Sequence, residues 1–128
     1  MKKEAKVVLS IDYGTKNIGI CVGETYTGQT RPLQRIQNGS SLENSFDDLL
    51  DEWRPNLFLL GIPSKMTLEF AKGVDKLKDL IKNKYKIDLI EINEDFTSQG
   101  LAKNKKDKLK DSYSAELIFE DWFNQNYG

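Results

Sequence analysis

The chain has 128 residues, 38% hydrophobic and 30% charged, with a formal net charge of −1. That is the size of one ordinary domain around one core, and we read residues 1–128 as a single domain. Histidine is absent and Cys21 is the sole cysteine. This excludes a Ser-His-Asp or Cys-His site, a His-ligated zinc centre and an internal disulfide. Any catalysis must run on carboxylates, lysines, hydroxyls and borrowed metal ions.

No stretch approaches the ~20 apolar residues needed to cross a membrane. The amino terminus lacks the apolar centre of a signal peptide, because Ile11 is followed at once by Asp12. A cytoplasmic protein is expected. Cys21, within Ile20-Cys21-Val22, reads as a buried, inert thiol.

Val7-Val8-Leu9-Ser10-Ile11 is an apolar, β-branched run suited to a buried central strand. Asp12 to Asn17 breaks it with turn residues, and Ile18 to Val22 is apolar again. Thr27-Gly28-Gln29 allows a reversal into a third strand, Thr30 to Ile36, so three strands form a meander. Ser40 and Glu43 have capping-box spacing. Leu42, Phe46, Leu49, Leu50 and Trp53 then trace one helical face that Pro55 closes. Leu57 to Ile62 is a fourth strand ending at Pro63. A second helix carries Phe70, Val74, Leu77, Ile81 and Tyr85 on one stripe. Ile87 to Ile92 is a fifth strand, and a last helix spans Asp111 to about Asn124. Right-handed crossovers make strands one, four and five parallel. The expected class is α/β, a five-stranded mixed sheet flanked by helices.

Loops that follow parallel strands gather at one sheet edge, where α/β proteins place their sites. Asp12, Gly61-Ile62-Pro63 and Asn93-Glu94-Asp95 share that edge. Asp111 precedes Ala115, Ile118 and Trp122 by 4, 7 and 11 residues, on the buried face of the last helix. Three carboxylates so gathered repel unless cations join them. Oxygen ligands suit Mg2+ or Mn2+, and two such ions promote phosphodiester hydrolysis without histidine. Asp12, Glu94 and Asp111 are therefore candidate metal ligands and catalytic residues. Each also has a plainer role open to it: Asp12 as a turn former, Glu94 as a solvated loop acid, Asp111 as a helix cap. Lys103, Lys105, Lys106, Lys108 and Lys110 place five ammonium groups just before Asp111. Such a run is either a solvated loop or a contact to backbone phosphates. Thr15, Lys16, Thr97 and Ser98 are further candidates for phosphate contact.

These residues resemble a known family. Asp12-Tyr13-Gly14-Thr15-Lys16-Asn17-Ile18-Gly19 is similar to the opening motif of the YqgF family, also called RuvX or Holliday junction resolvase-like proteins. Gly61-Ile62-Pro63 resembles its Gly-Leu-Pro loop, and Glu94 with Phe96-Thr97-Ser98 its acidic Thr-Ser segment. Lysines followed by Asp111-Ser112-Tyr113-Ser114-Ala115 resemble its Asp-x-x-Ala-Ala helix start. The resemblance implies an RNase H-like fold and, for bacterial members, trimming of precursor 16S ribosomal RNA near its 5′ end. It assigns Asp12, Glu94 and Asp111 to the family's acidic positions. Asn93 and Asp95 stand where the family carries Asp and Arg, and the loop after Pro63 is short.

The implied partners are precursor rRNA or structured DNA, with a ribosomal subunit as a further candidate, and the expected state is a monomer or weak homodimer. Three other readings stay open. One is a phosphate-gripping fragment of an actin-like ATPase. Another is a non-catalytic RNA- or ribosome-binding module. The third is a junction resolvase, which must act as a dimer.

Overall fold

The computed structural model describes residues 6–94 and 110–128, apart from the side chains of Lys110 and Asp111. Its elements run β1 (Val7–Asp12), β2 (Asn17–Glu24), β3 (Thr30–Gln37), α1 (Leu42–Trp53), β4 (Leu57–Ile62), α2 (Leu68–Asp79), β5 (Asp88–Asn93) and α3 (Lys110–Tyr127). The sheet order is β3-β2-β1-β4-β5. Strand β2 is antiparallel to β1 and β3, while β1, β4 and β5 are mutually parallel. This is the five-stranded mixed sheet expected from the pattern of elements.

Strand alternation assigns the two faces. Leu9, Ile11, Ile18, Ile20, Phe58 and Leu60 point to one side and meet Phe46 of α1 with Val74 and Leu77 of α2. Val8, Leu57 and Leu59 point to the other and meet Ile118, Phe119 and Trp122 of α3. The central strands β1 and β4 are covered on both faces, which is why they read as unbroken apolar runs. Strand β5 lies at the sheet edge and is mostly exposed, with Leu89 and Ile92 half-buried against opposite faces. Cys21 is buried, and desolvation, with the nearby Glu116 carboxylate, pushes its thiol up to about 12. It is an inert core residue, as expected.

Three local readings are corrected. The Ser40/Glu43 capping box does not form: Ser41 is the cap residue, without a side-chain bond, and Leu42 N–H donates to Gly39 O at 3.1 Å. A short turn at Gly39 displaces the predicted start by one residue. The second helix is α-helical only to Asp79 and continues as a π-helical segment, Leu80–Tyr85. That wider winding lets Tyr85 OH donate to Asp47 Oδ1 of α1 at 2.7 Å while Ile81 stays buried. Finally, α3 begins at Lys110, so Asp111 lies within the first helical turn rather than capping it.

Candidate active site

Asp12 ends β1, where it pairs in register with Gly61 of β4 and Gly19 of β2. Its side chain shares the face of Ser10 and Val8, the face covered by α3. Gly61 pairs in turn with Ile92, two residues before Glu94. A Cβ on Gly61 would lie 2.8 Å from Glu94 Oε1, 3.0 Å from Glu94 Cγ and 2.3 Å from Ile118 Cδ1. The Glu94 carboxylate therefore folds back over Gly61, beside the strand that ends in Asp12. Its Oε1 is buried, whereas Asp12 is half-buried at the rim. Gly61 is thus a cradle for the Glu94 carboxylate on the α3 side of the carboxyl edge, and Asp12 ends the neighbouring strand. Among the described side chains no third Asp, Glu or Cys joins them.

Helix α3 is tied over this edge by two buried serines. Ser10 Oγ donates to Ala115 O at 2.7 Å. Ser112 Oγ donates to Leu33 O and accepts from Ile20 N–H at 3.1 Å. The second tie has a structural cause. Between the Ile18↔Ile36 and Ile20↔Leu33 pairs, β3 carries one more residue than β2. That irregularity opens the ladder at Ile20 and Leu33, and a single hydroxyl satisfies both backbone groups. Helix α3 runs back down the sheet, since Ala115 lies at Ser10 and Trp122 packs with Val8 and Leu57. Two strand residues from Ser10 to Asp12 rise ~6.6 Å, and four helical residues from Ala115 back to Asp111 rise ~6 Å. The backbone of Asp111 thus lies at the level of Asp12. Its side chain lies outside the described residues.

Of the phosphate-contact candidates, Thr15 and Lys16 are exposed on the loop between β1 and β2, at this same edge. Thr97, Ser98, Lys103, Lys105 and Lys106 lie outside the described residues, as do Asp95 and Lys108. Sequence reading alone did not reveal Ser10 or Ser112 as the groups that seat α3. Ser10 was legible as the polar member of an apolar strand; Ser112 depends on the bulge and had no local signal.

Replacing Ser112 with alanine strands the Ile20 N–H and the Leu33 carbonyl in a buried place. We expect a loss of ~1–3 kcal/mol in urea unfolding, and a Ser112→Cys variant to recover only part of it. A loss within the error of the wild type would mean the hydroxyl does not seat α3.

A five-stranded mixed sheet of order β3-β2-β1-β4-β5 with helices on both faces is the fold of RNase H-like proteins. The solved structures agree on the fold. Thermus thermophilus RuvC in complex with a Holliday junction substrate superimposes with a TM-score of 0.67 at 12% identity, covering 95% of this chain and 96% of that one. Fowlpox virus resolvase bound to Holliday junction DNA matches with a TM-score of 0.67 at 14% identity, over 95% and 99% of the two chains. The sequence match is more specific: the family described as RuvX, Holliday junction resolvase, covers residues 6–125. The chain belongs to the RuvX family. A relative from Buchnera aphidicola subsp. Schizaphis graminum, named "Putative pre-16S rRNA nuclease", is 32% identical over 94% of this chain and 98% of its own length.

Proposed function

We propose that this chain is a divalent-metal-dependent nuclease that hydrolyses phosphodiester bonds during 5′-end processing of precursor 16S rRNA. Membership of the RuvX family and the name carried by its relatives support the reaction class and the substrate. The observation that carries it is the Glu94 carboxylate folded over Gly61, the residue that Asp12 pairs with in the sheet.

The residues fit a hard cation. Both donors are carboxylates, Oε1 of Glu94 is buried, and the missing Gly61 side chain lets that carboxylate lie against the strand residue in register with Asp12. Asp12 and Glu94 would hold Mg2+ or Mn2+ there, with Asp111 as a third ligand from the first turn of α3. Bound there, two such ions would activate a water and stabilise the oxygen that leaves phosphorus. The protein's own part is to concentrate negative charge at one point and to aim it. Sheet register fixes Asp12, the cradle fixes Glu94, and the two serines fix the start of α3. Thr15, Lys16, Thr97, Ser98, Lys103, Lys105 and Lys106 would grip phosphates around this centre. One domain suffices for this chemistry. No described helix is long and apolar enough to cross a membrane, and a cytoplasmic enzyme meeting the pre-ribosomal subunit fits the substrate.

The test is cleavage of end-labelled precursor 16S rRNA, generic single-stranded RNA and a four-way DNA junction, each with Mg2+, Mn2+ or EDTA. We expect metal-dependent cutting of the precursor, abolished by EDTA. Preferential cutting of the junction would transfer the activity to branched DNA. Retention of RNA without cleavage by any metal would make the chain a binding module.

A further inference from the structure

Gly73 stands in the middle of α2, where alanine is a better helix former by ~1 kcal/mol. Its neighbourhood explains it. A Cβ on Gly73 would lie 1.9 Å from the Tyr13 hydroxyl oxygen. Tyr13 follows Asp12 and points to the opposite face of the sheet, where its ring meets Phe70 edge-on at 5.0 Å. Asn38, just past β3, donates through Nδ2 to Tyr13 OH and to Gly14 O, each at 2.9 Å. The loop that leaves the catalytic strand is thus clamped against α2 on one side and against the end of β3 on the other.

The clamp creates a cleft of about 330 Å³, with Thr15 and Asn38 on one wall and Glu69, Lys72 and Lys76 of α2 on the other. Lys72 and Lys76 are four residues apart and stack on one helix face. Among the described residues neither is held in an ion pair, although Glu69 shares the cleft. Two lysines further along the same stretch are neutralised: Lys78 binds Glu91 at 3.1 Å, and Lys84 binds Asp47 at 3.0 Å. Lys72 and Lys76 against the one glutamate leave a positive cleft. The whole chain carries a net charge of −1, so this local excess is not a general property of the surface.

We infer that this cleft is a backbone-phosphate subsite for the nucleic-acid strand as it crosses the catalytic edge. Lys72 and Lys76 neutralise phosphates, and Thr15 donates a hydrogen bond. Tyr13, Asn38 and Gly73 are positioning residues that hold the catalytic strand and the lysines in one frame. The strand then meets carboxylates on the α3 side of the edge and cations on the α2 side, which places a phosphodiester over Asp12. The inference deepens the nuclease reading and rests on it for the identity of the ligand.

Binding is measured apart from cleavage, by fluorescence anisotropy of a 5′-labelled single-stranded RNA without divalent metal. We expect Lys72→Ala/Lys76→Ala to weaken binding about tenfold or more, and to flatten the salt dependence by roughly 1.4 in log–log slope for two lost phosphate contacts. Lys72→Arg/Lys76→Arg should restore most of the affinity. Lys82→Ala/Lys86→Ala, with the same change in charge at the opposite sheet edge, is the control and should move the affinity less than twofold. Equal weakening by the two alanine pairs, no weakening by the first, or no RNA binding by the wild type would each overturn the subsite. If binding depends on Lys72 and Lys76 but no substrate is cut, the subsite stands and the nuclease reading falls.

Discussion

Asp12→Asn is expected to lower phosphodiester cleavage about a thousandfold while leaving the fold intact. Asparagine has nearly the same shape, and Asp12 is half-buried at the end of a strand whose backbone is paired on both sides. Its removal should change unfolding free energy by less than ~1 kcal/mol, as for a substitution that opens no cavity. The catalytic loss has a different origin. A carboxylate that holds a Lewis-acidic cation supports several kcal/mol of transition-state charge stabilisation. Each 1.36 kcal/mol is about a factor of ten in rate, so three lost decades correspond to ~4 kcal/mol. The check is single-turnover cleavage of precursor rRNA beside a thermal melt. Undiminished cleavage by a well-folded variant would remove Asp12 from the reaction and trace the activity to a contaminant.

The second large effect is expected at Gly61. Alanine there brings its methyl to 2.3 Å from Ile118 Cδ1 and 2.8 Å from Glu94 Oε1. One of the two must move. Ile118 is fully buried between α3 and the sheet, while Glu94 follows the last residue of an edge strand and yields more readily. Overpacking of this kind costs ~1–3 kcal/mol, and displacing a reacting group by about 1 Å costs on the order of a hundredfold in rate. Gly61→Ala should therefore lose activity out of proportion to its stability. If activity falls only as far as in a stability-matched variant of the opposite core, such as Ile81→Val, the cradle has no catalytic role.

How much of this was legible from the residues depended on whether the cause was local. Strands β1 and β4 were legible because burial on both faces makes an apolar run, and the crossover rule then set their parallel direction. The edge shared by Asp12, Gly61 and Glu94 followed from that direction alone. The cradle did not, since a glycine before Ile62-Pro63 looks like an ordinary turn until a carboxylate is seen folded over it. Ser112 was hidden for a related reason: its partners exist only because β3 slips by one residue against β2. Gly73 did carry a signal, a glycine inside a helical stripe, but its meaning lies in Tyr13, sixty residues away. The start of α1 shifted because the Gly39 turn competes with the Ser40 cap. The π-helical segment accompanies a tertiary bond between Tyr85 and Asp47, which no periodicity encodes.

Mn2+ binding reports whether Asp12 and Glu94 act as one metal centre across Gly61. Titration of the wild type, Asp12→Asn, Glu94→Gln and the double variant, followed by electron paramagnetic resonance of free Mn2+, needs no substrate. Saturable binding is expected of the wild type, with at least a tenfold loss in either single variant and a double variant little worse than the singles, because the two acids serve the same metal centre. Affinity unchanged by either substitution, or losses that simply add as for two independent sites, would contradict a shared centre.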